Sequence, residues 1–289
     1  MGTDPVTAQK IRKLVPIKIG DNFRASEAKH ICSLCKKRIN KNIKIKNAGC
    51  SIVWFGDNVA YLIVEVPKSH NASFRVLPYK TSTITVIPNE LNTIFLKWEK
   101  RMSFLMSNGN FSMEKMDFGY RGSNDPILHE LAVTLTYLVP KYNQAILDVL
   151  RYSPDVKERQ KAAALLAWSN HDENLHYVLE WDLLSDPDKG VRNDVARSFS
   201  AFMNKIEDEK LLTSLIPAYC KQASFPNHTD RNKALYSILG ILNNHPKLVN
   251  AVNPECKKNI DYISKTSILE NIKNPAKDIL SIIEAGDHA

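Results

Sequence analysis

The sequence lacks the features that most directly reveal a function. No apolar run approaches the roughly 18 residues of a membrane-spanning helix. The longest run, 59–66, is interrupted by Glu65 and has the length of a strand. Gly-x-Ser-x-Gly, His-Glu-x-x-His, phosphate-binding-loop and paired-carboxylate signatures are also missing. The sequence therefore predicts no catalytic residue, no metal ligand and no cofactor.

Cysteine is scarce, and only one pair has the spacing of a motif. Cys32 and Cys35 are separated by two residues, but a zinc site built from such motifs needs a second pair. A redox site is disfavoured because the predicted helix begins near residue 25, so neither thiol lies at its N-terminus. Four alternatives stay open: zinc completed by His30 and Cys50, a redox pair, a disulfide to Cys50, or buried free thiols.

Positive charge is concentrated in the first third of the chain. The 289 residues carry a net charge of +8, whereas residues 1–100 alone carry 17 Lys and Arg against 7 Asp and Glu. The stretch 29–46 has seven basic residues and no acidic one. Such a patch attracts nucleic acid, an anionic membrane surface or an acidic partner, or is only a solvated face. The candidate partner-binding residues are Lys36, Lys37, Arg38, Lys41, Lys44 and Lys46.

Residues 13–88 are predicted to form a small basic α+β domain. A helix is predicted over 25–41, and the strand-like segments are 14–20, 43–49, 50–56, 59–66, 73–79 and 81–88. Asp57-Asn58 is interpreted as a hairpin turn. A helix on one face of a sheet buries both apolar surfaces. Residues 1–12 are predicted to be a flexible start, and 89–121 a connecting helix, 89–109, and a loop.

From residue 122 onward the sequence repeats itself. The stretch 153-SPDVKERQKAAALLA-167 aligns with 186-DPDKGVRNDVARSFS-200, which places Asp155 on Asp188 and Arg159 on Arg192. Weaker copies occur at 124–135 and 229–242. Self-similarity at a fixed period is typical of an array of stacked helix pairs.

The repeated polar residues are predicted to order the turn between two helices. An aspartate after the proline caps the next helix, and the arginine reaches an aspartate of its own or a neighbouring turn. An exposed pair of this kind contributes only about 0.2–1 kcal/mol, so the apolar stripe is expected to dominate stability. The residues assigned to this structural joint are Asp155, Arg159, Asp186, Asp188 and Arg192.

The motif 186-DPDKGVRN-193 resembles the joint of HEAT repeats, and the resemblance covers about residues 122–285. It implies an all-α array of about four helix pairs over 122–289 that binds protein partners. The stretch 153–159 departs from the pattern because it lacks valine before its arginine. The overall plan is loosely similar to that of bacterial exported HEAT-repeat proteins, so an exported location is slightly favoured over a cytoplasmic one. The start MGTDPVTAQK fits a native start or a Met-Gly placed before a mature chain.

The sequence thus predicts an α+β N-terminal domain followed by an all-α HEAT-like array. The leading interpretation is a non-enzymatic protein-interaction scaffold. The alternative is a nucleic-acid-binding or base-repair HEAT-like protein that uses the N-terminal basic patch. Residues 101–289 carry 22 basic against 24 acidic residues, whereas a surface that grips phosphates is basic, so this alternative depends on the patch. The identity of the partner and the oligomeric state stay open.

Overall fold

The computed structural model describes residues 5–43, 48–55, 59–65, 74–78, 85–110, 114–115, 119–169, 171–200, 203, 206–225 and 227–286. Its α-helices are α1 (Pro5–Leu14), α2 (Ala28–Ile43), α3 (Asn89–Ser107), α4 (Pro126–Lys141), α5 (Asn143–Tyr152), α6 (Val156–Leu165), α7 (His171–Glu180), α8 (Lys189–Ser200), α9 (Glu209–Ser224), α10 (His228–Asn244), α11 (Pro254–Thr266) and α12 (Glu270–Gly286). Antiparallel pairing joins β1 (Gly49–Phe55) to β2 (Val59–Glu65), and β3 (Glu114–Lys115) to β4 (Gly122–Ser123). Within these ranges, no helix is both long and apolar enough to cross a membrane.

Helices α5 to α12 form a helical repeat array of consecutive pairs. Helix α5 packs on α6, α9 on α10, and α11 on α12. The second helices of the pairs, α6, α8, α10 and α12, pack on one another in chain order, and so do the first helices α7, α9 and α11. Each pair therefore buries its apolar face against its neighbours, as in a solenoid, and a HEAT-like arrangement is compatible with this packing.

The apolar stripe of the repeat forms the core between neighbouring pairs. Val191, Val195 and Phe199 of α8 are completely buried. Ala163 and Ala196 are buried to the same extent, and their small side chains allow α6 and α8 to approach closely. This core extends from Ile87 to Ile283, so it is continuous along the array.

The N-terminal elements have a smaller core of their own, formed by Ile11, Cys35, Ile39 and Ala48. The helix predicted over 25–41 is confirmed as a 3₁₀ turn followed by α2. The hairpin predicted from 50–56 and 59–66 is confirmed as β1–β2, with Gly49 opposite Glu65 and Phe55 opposite Val59. The turn predicted at Asp57-Asn58 lies outside the described residues.

Two other predicted strands are wrong. Residues 15–20 form none, because the Val15 N–H continues the helical turn by donating to the Ile11 carbonyl and Gly20 turns the chain at φ +89°. Residues 74–78 pair with no strand either, because the Arg75 N–H donates to the Ser185 carbonyl of the array.

Several other N-terminal predictions fall partly or wholly outside the described residues. Residues 44–47, 66–73 and 79–84 are outside them. The predicted flexible start at 1–12 is helical in its described part, since α1 begins at Pro5. The described sheet of this region is a two-stranded hairpin, and the domain boundaries at 13, 88 and 122 stay predictions.

Candidate functional site

The repeated aspartates begin the second helix of their pairs. Asp155 accepts a hydrogen bond from the backbone N–H of Lys157 at 2.8 Å. Asp188 accepts from the N–H groups of Gly190 and Val191 at 2.8 and 3.0 Å. Both carboxylates satisfy N–H groups that have no carbonyl partner within the helix, and they lie at the positive end of the helix dipole.

The repeated arginines make the same two kinds of contact in successive joints. The Nη1 atom of Arg159 donates to the Ser153 carbonyl at 2.8 Å, and that of Arg192 donates to the Asp186 carbonyl at 2.6 Å. Arg159 also donates from Nε and Nη2 to the Asp186 carboxylate at 3.1 and 3.2 Å. Arg192 donates in the same way to Asp230 at 2.9 and 2.7 Å. The arginines therefore link each joint to the next.

These ion pairs are buried. The sequence analysis had treated them as exposed pairs that contribute little to stability. The Arg159 and Asp186 side chains are 2% and 0% exposed, and the values for Arg192 and Asp230 are 1% and 0%. Removing one partner of such a pair leaves a buried charge without compensation. The joints are therefore more sensitive to single substitutions than the sequence suggested.

A segment from the N-terminal third lies along these joints and inserts Arg75 between them. Its guanidinium and its backbone N–H donate to the Asp186 carboxylate and to the carbonyl groups of Leu150, Arg151 and Ser185. Asp186 therefore binds two arginines, Arg75 and Arg159. Farther along the chain, the Thr85 carbonyl accepts a hydrogen bond from Ser153 at 2.8 Å, so the contacts continue to the preceding joint.

The hairpin is attached to the array through Glu65, the last residue of β2. Glu65 accepts hydrogen bonds from the His228 backbone N–H at 3.1 Å and from Lys189 Nζ at 3.0 Å. The Nδ1 atom of His228 lies 2.8 Å from its Oε1. Burial raises the pKa of Glu65, but the hydrogen bonds and charges of His228 and Lys189 outweigh burial and bring the pKa to about 2.

Substitution of Glu65 by glutamine is expected to cost stability that depends on pH. The folded pKa lies below the unfolded value of 4.5, so the ionised carboxylate stabilises the fold above 4.5, and this stabilisation is lost as the pH falls toward 2. In urea titrations at neutral pH the free energy of unfolding of the variant should be lower than that of the native chain by about 2–3 kcal/mol. The difference in free energy of unfolding between the variant and the native chain should shrink in acid. A difference that stays constant with pH would contradict stabilisation by the ionised carboxylate.

The predicted partner-binding residues lie on one helix as far as they are described. Lys36, Lys37, Arg38 and Lys41 are exposed on α2, and Lys44 and Lys46 lie outside the described residues. The sequence of α2 contains no acidic residue. This face of the helix therefore presents a positively charged surface to solvent.

The structure brings two of the three N-terminal cysteines together. The Sγ atoms of Cys50 and Cys35 are 2.6 Å apart, and Cys35 is buried while Cys32 and Cys50 are half-buried. Cys32, Cys35 and Cys50 are free thiols in this structure, and Cys35 and Cys50 are within hydrogen-bond distance of each other. Among the described residues, no three His, Cys, Asp or Glu side chains are arranged to hold a metal ion. A disulfide that the sequence did not indicate joins Cys220 of α9 to Cys256 of α11.

A cleft with a volume of about 400 Å³ lies between α3, α6 and α8. Four carboxylates and two lysines make its lining negatively charged, and the lining residues are Leu96, Glu99, Asp155, Lys157, Glu158, Gln160, Lys161, Ala164 and Asp194. Burial raises the pKa of Asp194 to about 6, although Arg121 and Arg197 act in the opposite direction. Asp194 is therefore mostly ionised at neutral pH and gains a proton in mild acid.

A second group of charged side chains lies close to Asp194. Glu114 binds both Arg121, at 2.6 Å, and Arg197. The guanidinium of Arg121 lies 4.2 Å from the centre of the Trp98 ring, within the range of a cation–π interaction. Burial lowers the pKa of Lys233 on α10 to about 8, and the charge of Arg197 adds to this effect. The array thus brings charges from α8, α10 and the β3–β4 region together.

The sequence analysis assigned residues to the joints, but it pointed neither to the cleft nor to the insertion of Arg75. The cleft residues are distributed from 96 to 194, and of them only Asp155 belongs to the repeated motif. The one signal for the insertion was a charged residue, Arg75, within a segment of otherwise strand-like alternation.

The comparisons with known proteins give similarity to solved structures only. No protein-family model and no curated protein matches the sequence. One designed armadillo repeat protein is 13% identical, with 67% of this chain and 90% of that chain covered at a TM-score of 0.41. An engineered protein is 16% identical, with 68% and 88% covered at 0.41. A designed armadillo repeat protein in complex with the peptide (KR)4 is 13% identical, with 67% and 90% covered at 0.40.

Likeness at these TM-scores carries no conclusion about function. The helical repeat fold is established by the packing of this chain's own helices, α5 to α12. The likeness to bacterial exported proteins and the location of the protein stay predictions.

Proposed function

We propose that the protein is a non-enzymatic interaction scaffold whose helical array binds a basic, extended segment of a partner protein. The observation that supports this function is the negatively charged cleft between α3, α6 and α8. Arrays of stacked helix pairs offer surfaces shared by several repeats. This cleft has that character, because residues of two consecutive second helices and of α3 line it together.

Two of the cleft carboxylates are available to a ligand. Glu158 is already engaged, since it binds Lys161 at 2.5 Å and accepts the backbone N–H of Ile87 at 3.0 Å. Glu99 and Asp194 form no ion pair within 4.0 Å among the described residues, although Asp194 Oδ1 accepts a hydrogen bond from the neutral amide of Asn193 at 3.2 Å. A lysine or arginine from a partner gains charge-assisted hydrogen bonds there without breaking an existing pair.

The test is a fluorescence titration of the full chain with a labelled peptide of alternating lysine and arginine. The double variant E99Q and D194N should bind the peptide at least about tenfold more weakly than the native chain. Affinity of the native chain should also fall as the pH is lowered through about 6, where Asp194 is protonated. A peptide of alternating serine and glutamine controls for binding that does not depend on charge.

A matched variant separates binding in the cleft from general attraction. Glu255 and Glu270 are exposed on α11 and α12, and E255Q with E270Q removes the same two charges outside the cleft lining. This control should bind the peptide as the native chain does. Equal losses in the cleft variant and the control variant would contradict a site in the cleft.

Nucleic-acid binding through α2 is the second candidate function, and the exposed basic face of this helix favours it. A labelled single-stranded oligonucleotide is titrated in parallel with the peptide. Affinity that falls steeply with salt and is lost in the variant K36E with K37E would support this candidate. The cleft variant should leave oligonucleotide binding unchanged in that case.

A further inference from the structure

The Arg75 side chain occupies a pocket whose acceptors match a guanidinium. Nε and Nη2 donate to the Asp186 carboxylate at 3.1 and 2.5 Å. Nη2 also reaches the Leu150 carbonyl at 2.9 Å, and Nη1 the Arg151 carbonyl at 3.3 Å. Both carbonyl groups belong to the last turn of α5, where the helix dipole is negative. Three nitrogens of one planar group are used, which the single ammonium of lysine cannot reproduce.

The pocket does not depend on Arg75 for its charge balance. Asp186 is also bound by Arg159, through Nε at 3.1 Å and Nη2 at 3.2 Å. Its Oδ1 accepts the backbone N–H of Asp188 at 2.9 Å. When Arg75 leaves, the buried carboxylate therefore keeps a cationic partner, and the acceptors stay in position for another arginine.

The segment 74–78 is held as a short bound peptide would be. Arg75 is its anchor, with a side chain that is only 5% exposed, whereas Val76 is 90% exposed. Phe74 adds an aromatic contact, because its ring centre lies 5.1 Å from that of Phe225. The guanidinium of Arg192 lies 4.8 Å from the centre of the Phe74 ring. Recognition is thus concentrated in an aromatic residue followed by an arginine.

We propose that this arginine pocket is a binding site for an extended partner segment with an aromatic residue followed by arginine, and that residues 74–78 are an internal occupant which such a segment replaces. The site is distinct from the cleft, because none of the pocket residues Leu150, Arg151, Ser185 and Asp186 lines it. Protein binding at the arginine pocket goes beyond the proposed function and can hold if the cleft binds nothing.

If residues 74–78 occupy the pocket, a free peptide should bind the native chain much more weakly than a chain whose pocket is vacated. A covalently attached segment competes at an effective concentration on the order of 1 mM. A free peptide with an intrinsic dissociation constant on the order of 10 µM should therefore bind the native chain about 100-fold more weakly than a chain whose pocket is vacated.

The experiment titrates the labelled peptide SFRVLP, residues 73–78, into the native chain and into the full-length variant R75A. The variant should bind the peptide about 100-fold more tightly than the native chain. The same peptide with lysine in place of arginine should lose at least about tenfold in affinity for the variant. Adding E99Q and D194N to R75A should leave the affinity for this peptide unchanged. The experiment therefore distinguishes failure of the proposed cleft site from failure of the proposed arginine pocket.

Three results of the titration would overturn the proposal. They are no binding of the peptide to a folded R75A chain, equal binding to both chains, and equal affinity of the arginine and lysine peptides. Hydrogen exchange of the native chain gives a measurement that does not rely on the variant folding. The Arg75 amide, which donates to Ser185 at 2.8 Å, should exchange through local opening before the amides of α5 and α6. Exchange of this amide only on global unfolding would show that the segment is not replaceable.

Discussion

Replacement of Asp186 by alanine is expected to lower the free energy of unfolding by about 3–5 kcal/mol. The carboxylate is completely buried and binds Arg159 and Arg75 together. Its removal leaves two buried guanidinium groups without their shared counter-charge. It also takes away the acceptor of the Asp188 backbone N–H. Urea titration followed by circular dichroism measures the loss.

Two further variants show whether the loss comes from the buried charges. Asp155 caps α6 but is exposed, so D155A should cost only about 1 kcal/mol, the value of a lost helix cap. In the double variant D186A with R75A, one of the two uncompensated guanidinium groups is gone, and part of the lost stability should return. If D186A costs no more than D155A, the joint does not depend on the buried pairs.

The joints show how far the sequence predicts this array. The two copies of the motif are 33 residues apart, which aligns Asp155 with Asp188 and Arg159 with Arg192. The aligned residues make matching contacts to their own helix or turn. The carboxylate partners were not predictable from the repeat. Arg159 binds an aspartate 27 residues later and Arg192 one 38 residues later, so the partners do not share the period.

The N-terminal third shows why an apolar pattern can be misinterpreted. The helix over 25–41 and the hairpin β1–β2 were predictable, because their apolar residues pack against each other locally. Alternation over 73–79 indicates only an extended chain with one buried face. In this protein the array, rather than another strand, covers the side chain of Arg75. A partner that is 111 residues away leaves no local mark in the sequence.

The cleft could not be predicted from the sequence. Its carboxylates come from α3, from the start of α6 and from α8, and no local motif connects them. The raised pKa of Asp194 arises from burial between helices that are distant in sequence. Such a property depends on tertiary packing, so it is absent from composition and periodicity alone.

Loss of the Cys220–Cys256 disulfide is expected to destabilise the end of the array by up to about 4 kcal/mol, the chain-entropy value for its separation of 36 residues. The bond joins α9 to α11, the first helices of the last two pairs. A terminal pair has only one neighbour, so this cross-link restricts the part of the array with the fewest contacts. The variant C220S with C256S should therefore unfold at lower urea concentration than the native chain, and reduction should produce the same shift.

Hydrogen exchange shows which helices are destabilised when the Cys220–Cys256 disulfide is lost. Amides of α11 and α12 should lose protection in C220S with C256S, whereas those of α5 and α6 should keep it, because the two regions are separated by α7 to α10. Cys32 is a half-buried thiol outside this disulfide, so C32S should leave the exchange of the terminal pair unchanged. Equal loss of protection along the whole array would mean that it unfolds as one cooperative unit. In that case the disulfide would stabilise the four helix pairs α5 to α12 together rather than their end.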